Sequence, residues 1–383
     1  TYDYDFATDV VRAAVATLAK EATISANPKP GFVWRQSIAS RGARDIEPFT
    51  IEDNCYLAVA NSRDDLTHQV DVNTYRWNGS VFVLQQSIPA QGASDCEFFS
   101  IADQHFLAVA HERDDATYRV DSKLYRWDGA AFVWHQDLAT SGAMDCEFFT
   151  VEGRHYLAVA NSRSDATWDV NSTIYRWDGT QFTQFQSVPT SGAADCEFFT
   201  IGEMPFLAIA NSQEGDGGSG VSRIYGWDGR GFVEFQAVAT QGAADWEFLQ
   251  IGADSYLIAA NGSNAQSHRV DSRVYKWDQT SFVPYQILPT QGAAALDSLD
   301  VGQEVWLAVA NRRDDAADQV DSTLYKWNGT RFVESQAVPA QGAGDVAFFT
   351  TDEGVFLAVA DSGDDTRYDV PSLVFALSED GLY

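Results

Sequence analysis

The motif Phe-Val/Thr-x-x-Gln begins at Phe32, Phe82, Phe132, Phe182, Phe232, Phe282 and Phe332, a spacing of 50 residues that never drifts. A fixed period of this length is the signature of a repeat architecture, and it constrains the fold more tightly than any local propensity. Each copy continues through versions of Gly-Ala-x-Asp-x-Glu-Phe-Phe-x-Ile, then Phe/Tyr-Leu-Ala-Val-Ala-Asn, an acidic loop, and Tyr-Arg-Trp-Asp/Asn-Gly. Seven copies run from Phe32 to about Leu377 of the 383 residues.

Each copy holds four short segments rich in β-branched and aromatic residues, separated by Gly, Asn, Asp, Pro and Ser. Asn78-Gly79, Asp128-Gly129, Asp178-Gly179, Asp228-Gly229 and Asn328-Gly329 suit hairpin turns with positive φ, and only the fifth copy substitutes Asp278-Gln279. Four antiparallel strands per copy, seven times over, predict an all-β fold: a closed seven-bladed β-propeller. A linear β-solenoid usually repeats at much shorter periods. The hairpin makes Tyr-Arg-Trp the third strand of a blade and Phe-Val-x-x-Gln its outermost fourth. The chain then begins with an orphan outer strand and ends with an unmatched third strand. Residues 32–383 are therefore expected to form the propeller, closed by pairing of 32–36 with 372–377. Residues 1–31 form an N-terminal extension, partly helical, with Asp9 as cap and Val11, Val15 and Leu18 on one face.

Composition bounds the partners. A net charge of −30 repels nucleic acid and anionic lipid and favours cations or basic partners. No run of 18 apolar residues is present, so no membrane insertion is expected, and a ring closed by its own chain is expected to act as a monomer. Cys96, Cys146 and Cys196 occupy one repeat slot that Ile46, Trp246, Leu296 and Val346 fill elsewhere. Such a slot is apolar core, which predicts buried free thiols and not a disulfide framework.

The full repeat string resembles the epilepsy-associated repeat, also called the epitempin repeat, a family that includes secreted leucine-rich glioma-inactivated proteins and related cell-surface proteins. The resemblance covers Phe32 to Leu377. It implies a seven-bladed propeller that binds other proteins, a secreted or cell-surface location, and a cation site in the central channel.

Three sets of residues carry candidate chemistry. The Asp-x-Glu pairs Asp45/Glu47, Asp95/Glu97, Asp145/Glu147, Asp195/Glu197 and Asp245/Glu247 open the inner strand of five blades, with Ala295/Asp297 and Asp345/Ala347 in the last two. Residues two apart share a strand face. Asp45, Asp95, Asp145, Asp195, Asp245 and Asp345 are thus candidate metal ligands, for Ca²⁺ in the channel or else for shared protons. The alternative is a clasp: one acid of each pair binds backbone of the neighbouring blade. After the second strand comes an acidic loop (Arg63-Asp64-Asp65 and its equivalents), so the face at this mouth is expected to be acidic. His68, Tyr118, Trp168, His268 and Tyr368 follow in the loop, as rings able to stack a sugar or cap a cationic group of a protein or glycan ligand. The plainer alternative is that they cover their own loops. Asn61 and its equivalents close the second strand, where the second blade has His111. No catalytic signature is found. An enzyme acting at the channel mouth on a small or cationic organic substrate remains the alternative to a binding propeller, with His111 beside Asp95 and Asp145 as its candidate residues.

Overall fold

A computed structural model describes residues 30–212, 220–302 and 304–378. The segment after Asp9 and the glycine-rich loop Gly215–Gly218 lie outside them. Blade one consists of β2 (Ala43–Ile51), β3 (Asn54–Asn61), β4 (Val72–Trp77) and β5 (Phe82–Ile88), antiparallel and in sequence order. The same order gives five more blades, whose inner strands are β6 (Ala93–Ile101), β10 (Ala143–Val151), β14 (Ala193–Ile201), β18 (Ala243–Ile251) and β22 (Ala293–Val301). Blade seven takes β26 (Ala343–Thr351), β27 (Gly354–Asp361) and β28 (Ser372–Ser378) from one end of the chain and β1 (Gly31–Ile38) from the other. There Phe32 lies opposite Leu377 and Gln36 opposite Val374, so the seventh sheet has its fourth strand. No helix among the described residues is long and apolar enough to cross a membrane.

The second strand of each blade reads as an unbroken apolar run because both its faces are covered. Leu57, Ala58, Val59 and Ala60 are wholly buried. Neighbouring blades pack through aromatic pairs: Phe99 stacks on Phe148 with ring centroids 4.2 Å apart, and Trp127 meets Tyr56 edge-on at 6.0 Å. The tryptophan of the third strand is therefore a packing residue between blades. Cys96, Cys146 and Cys196 are buried free thiols in these cores.

Crossings between blades depend on one glycine position. Gly42, Gly92, Gly142, Gly242, Gly292 and Gly342 all have φ between 53° and 62°, and a Cβ on Gly92 would lie 2.4 Å from the Arg113 carbonyl oxygen. The hairpin turns use Asn78 or its equivalent as a cap, its Oδ1 accepting from the Ser80 and Val81 amides, with Gly79 at φ 96°. In blade five Gln279 holds φ 84° without glycine.

The outer strands are tied by glutamine. Gln36 Nε2 donates to the Phe82 carbonyl and Gln36 Oε1 accepts from the Phe82 amide, both at 2.8 Å. Gln86, Gln136, Gln186, Gln236, Gln286 and Gln336 repeat this two-pronged bond, the last returning to Phe32.

Candidate functional site

Each inner strand is the edge of its sheet, and an edge leaves every second N–H without a ladder partner. The Asp-x-Glu pair of the preceding blade supplies acceptors for two of them. Asp95 Oδ2 accepts from the Cys146 amide and Glu97 Oε1 from the Phe148 amide, both at 3.0 Å. Asp45, Asp145, Asp195, Asp245 and Asp345 accept from Cys96, Cys196, Trp246, Leu296 and Ile46. Glu47, Glu147 and Glu197 accept from Phe98, Phe198 and Phe248, Glu247 from Ser298, and Asp297 from Phe348. Both acids of a pair are therefore clasps, where the sequence reading gave that role to one of them. The ladder has one place where donor and acceptor vanish together. Ala347 offers no carboxylate, and the residue it would serve in blade one is Pro48, which has no N–H.

These carboxyls are half-buried around the channel and crowd one another. Burial first, and neighbouring carboxylates second, hold the Asp95 and Asp245 carboxyls well above the usual range. Burial likewise pushes Asp345 up to about 6, Asp145 and Glu247 to about 7, and Glu47 to about 8. Asp45 and Asp345 lie within hydrogen-bond reach of each other, as do Asp195 and Asp245, so each pair is placed to share a proton when one member is protonated. The donor set is hard oxygen, which suits Ca²⁺. Among the described residues, however, no three His, Cys, Asp or Glu side chains converge closely enough to hold a metal as they stand.

The loops after the second strands share a face with the crossings, because Ala43 pairs with Asn61 at that end of β2 and β3. Their acids do not simply face solvent. The first aspartate turns inward as a cap: Asp64 Oδ1 accepts from the Leu66 and Thr67 amides, and Asp114 and Asp314 do the same. The second straps the neighbouring loop: Asp115 accepts from the Thr67 hydroxyl and the His68 amide, and Asp165 from Thr117 and Tyr118. Asp315 and Asp365 likewise bind His268 and Asp318.

The loop rings are engaged as well. The Arg63 guanidinium lies 4.1 Å over Tyr368, and Arg163 lies 4.2 Å from Tyr118 and 4.0 Å from Trp168. Arg113 covers Tyr118 at 4.6 Å and donates to its hydroxyl. His68 Nδ1 lies 3.1 Å from Asp115, and His268 Nδ1 lies 3.7 Å from Asp315. Trp168 and Tyr368 keep an exposed part.

His111 takes the place of the asparagine that elsewhere ties loop backbone, as Asn61 does with Arg41 and Asp71. It is wholly buried, its Nδ1 is 2.9 Å from the Asp121 carbonyl, and burial lowers its pKa to about 4. No hydrogen bond joins it to Asp95 or Asp145.

What the sequence reading missed is a group of arginines at that mouth. Arg44, from the crossing into blade one, is 3.5 Å from Glu112 of blade two, and Arg312 approaches both from blade six. The signal was present. The slot of Arg44 is otherwise Ser94, Met144, Ala194, Ala244, Ala294 and Gly344, and that of Arg312 is otherwise serine or glycine except for Glu112.

The EPTP domain matches seven times, at residues 31–78, 81–128, 131–178, 181–228, 231–278, 281–328 and 331–372. Similar curated proteins include the human thrombospondin-type laminin G domain and EAR repeat-containing protein, 45% identical over 47 residues. Its mouse counterpart is 43% identical over 49 residues. These alignments span 12% and 13% of this chain and 7% of either relative.

Proposed function

Since the chain belongs to the EPTP domain family, we propose that it is a binding propeller that recognises a protein partner through its loop-bearing face. The observation that carries this reading is where the repetition fails. Hairpin turns on the opposite face are nearly uniform, whereas the loops differ from blade to blade and hold the Arg–ring stacks. Rigid sheets presenting variable loops are the usual arrangement of a recognition surface. Arginine and aromatic residues also dominate binding hot spots.

A panel of secreted and cell-surface ectodomains, run beside a glycan array, tests the reading. Trp168→Ala and Arg113→Ala should each weaken a specific interaction by roughly tenfold or more. Arg154→Ala, at the far end of its strand from the loop face, should leave it unchanged. Loss confined to Arg154→Ala would overturn the assignment of the face, and binding on the glycan array alone would replace the protein partner with a sugar.

Calcium in the channel is the second proposal. The hard-oxygen donors and shared protons support it, and a cation would need those protons released. Chelation that lowers the melting temperature at neutral pH, with calcium restoring it, is the expected result. An unchanged temperature, with no metal by elemental analysis, would reject it.

A further inference from the structure

We propose that the channel mouth on the loop face binds a small oxyanion, a sulfate, phosphate or carboxylate group, between Arg312 and Arg44. The proposal takes the loop face as the recognition face, yet its test needs no partner.

Arg312 carries the argument. The residue is half-buried, and its guanidinium makes no hydrogen bond or ion pair with the protein among the described residues. Its strongest electrostatic neighbour is a like charge: Arg44, followed by burial, brings its pKa down to about 9, and Glu112 and Asp318 only partly offset this. A chain with 55 acidic residues has many ways to pair an arginine, and here it places a second arginine instead. Glu112 is already bound to Arg44.

The surrounding pocket repeats the imbalance. It measures about 190 Å³ and is lined by Arg44, Arg63, Arg113 and Arg312 against the single carboxylate Glu112. Arg63 and Arg113 are fixed on the rings of Tyr368 and Tyr118, so their positions are set before any ligand arrives. Guanidinium groups present forked donors matched to carboxylate, sulfate and phosphate oxygens. The volume is below the ~300 Å³ at which ordinary small-molecule sites begin, and it suits a single oxyanion group.

A second pocket of about 410 Å³ adjoins the first and shares Arg312, Ser362 and Tyr368 with it. It opens toward blades five and six, where Gly262, Ser263, Ala244 and Ala294 are small. In most other blades an arginine stands in the slot of Ser263. The body of a ligand bearing the oxyanion has its space there. Three symmetry breaks, Arg44, Arg312 and the pair Gly262-Ser263, thus build one site that no single repeat contains.

The test is a melting and calorimetric titration of the whole chain with sodium sulfate, sodium phosphate and sodium acetate, each balanced with chloride to constant ionic strength. Saturable stabilisation by at least one of them is expected, and comparing the three identifies the preferred group. Arg312→Gln and Arg44→Gln should each weaken that binding roughly tenfold or more, while Arg154→Gln should not. Arg312→Gln should also melt no lower than the parent in chloride alone, because it removes a repulsion, so loss of response is separable from loss of fold. Arg312→Lys keeps the charge without the fork and should retain an intermediate response. Equal responses to chloride and the oxyanions, or full binding in Arg312→Gln, would overturn the proposal. If it failed while Trp168→Ala still abolished partner binding, the recognition face would stand without this site.

Discussion

Two rings of side chains fasten each blade to the next, one at the rim and one at the channel, and they solve the same problem with different chemistry. At the rim a glutamine both accepts and donates, so seven residues satisfy an N–H and a C=O of every neighbouring outer strand. At the channel twelve carboxyls offer the backbone only acceptors, and several lie close enough to raise one another's pKa. An asparagine or glutamine could accept the same channel N–H groups without charge. Hydrogen bonding therefore explains why polar residues stand on the inner strands, and it does not explain why they ionise. The comparison teaches that the outer ring is architecture alone. The charge state of the inner ring, in contrast, is a variable that protons or a cation can set.

The strongest way to break the comparison is to cut one ring and leave the other. A chain beginning at Ala39 loses β1, and with it the Gln336–Phe32 bond, while the Asp345–Ile46 clasp remains. Phe32 and Ile38 are almost wholly buried, and losing both should cost more than about 5 kcal/mol by denaturant midpoint. A midpoint within about 1 kcal/mol of the parent would mean that the carboxyl ring alone keeps the propeller shut.

The next effect is pH dependence, which only the inner ring should show. Asp345, Asp145, Glu247 and Glu47 titrate at about 6 to about 8 when folded, and burial holds the other carboxyls of the ring well above their usual range too. The folded state thus binds more protons in between. Stability is complete below the unfolded pKa and is lost as pH rises through the folded values. His111 acts in the opposite direction. Its folded pKa of about 4 removes stability only as pH falls below about 6.5, so the ring is best read above that point, and in an Asp361→Asn background, because burial pushes the Asp361 carboxyl up to about 8 as well. Melting temperature should therefore decline from neutral to alkaline pH. Asp145→Asn, which keeps an acceptor without the charge, should flatten the decline, and so would calcium if it occupies the channel. A curve rising with pH in the absence of metal would contradict the shared-proton picture. Gln186→Ala is the rim counterpart. It should lower stability by about 1–3 kcal/mol, equally at neutral and alkaline pH, since no titrating group is lost.

Blade number, strand count and phase were legible because they rest on local periodicity: a glutamine every 50 residues, and a turn signal after the third-strand tryptophan of six blades. The role of the inner acids was legible only as an alternative and for one acid of each pair, because the amide that each one serves lies in the next blade, 51 residues on. A strand face can be read from alternation, but whether an edge N–H awaits it across a blade boundary cannot. The bonding of the loop aspartates was hidden for a related reason. Asp64 and Asp115 count as charges in the sequence, yet their oxygens are taken by backbone amides and by a threonine of the same or the next loop. The arginine mouth escaped notice because Arg44, Glu112 and Arg312 stand in three separate repeats and meet only when the ring closes.

The smallest predicted effect tests the missing rung. Ala347 and Pro48 lack an acceptor and a donor at the one junction where each would have served the other. If the inner acids are retained as clasps, restoring either half alone should not help. Ala347→Glu places a further carboxyl in a crowded channel with no amide to bind. Pro48→Ala frees an edge N–H with no acceptor, and it avoids adding the ring that Phe98 stacks on Phe49 in the next blade. The double variant should recover what the singles lose, with a coupling of about 0.5–1.5 kcal/mol in a double-mutant cycle read at low pH, where the new carboxyl carries least charge. At alkaline pH the same cycle should show less recovery, because the rung then adds charge to a ring that already holds too much. Coupling that is absent at both pH values would mean that Pro48 and Ala347 coincide by chance, and that the acids are retained for the channel's charge and not for the amides they meet.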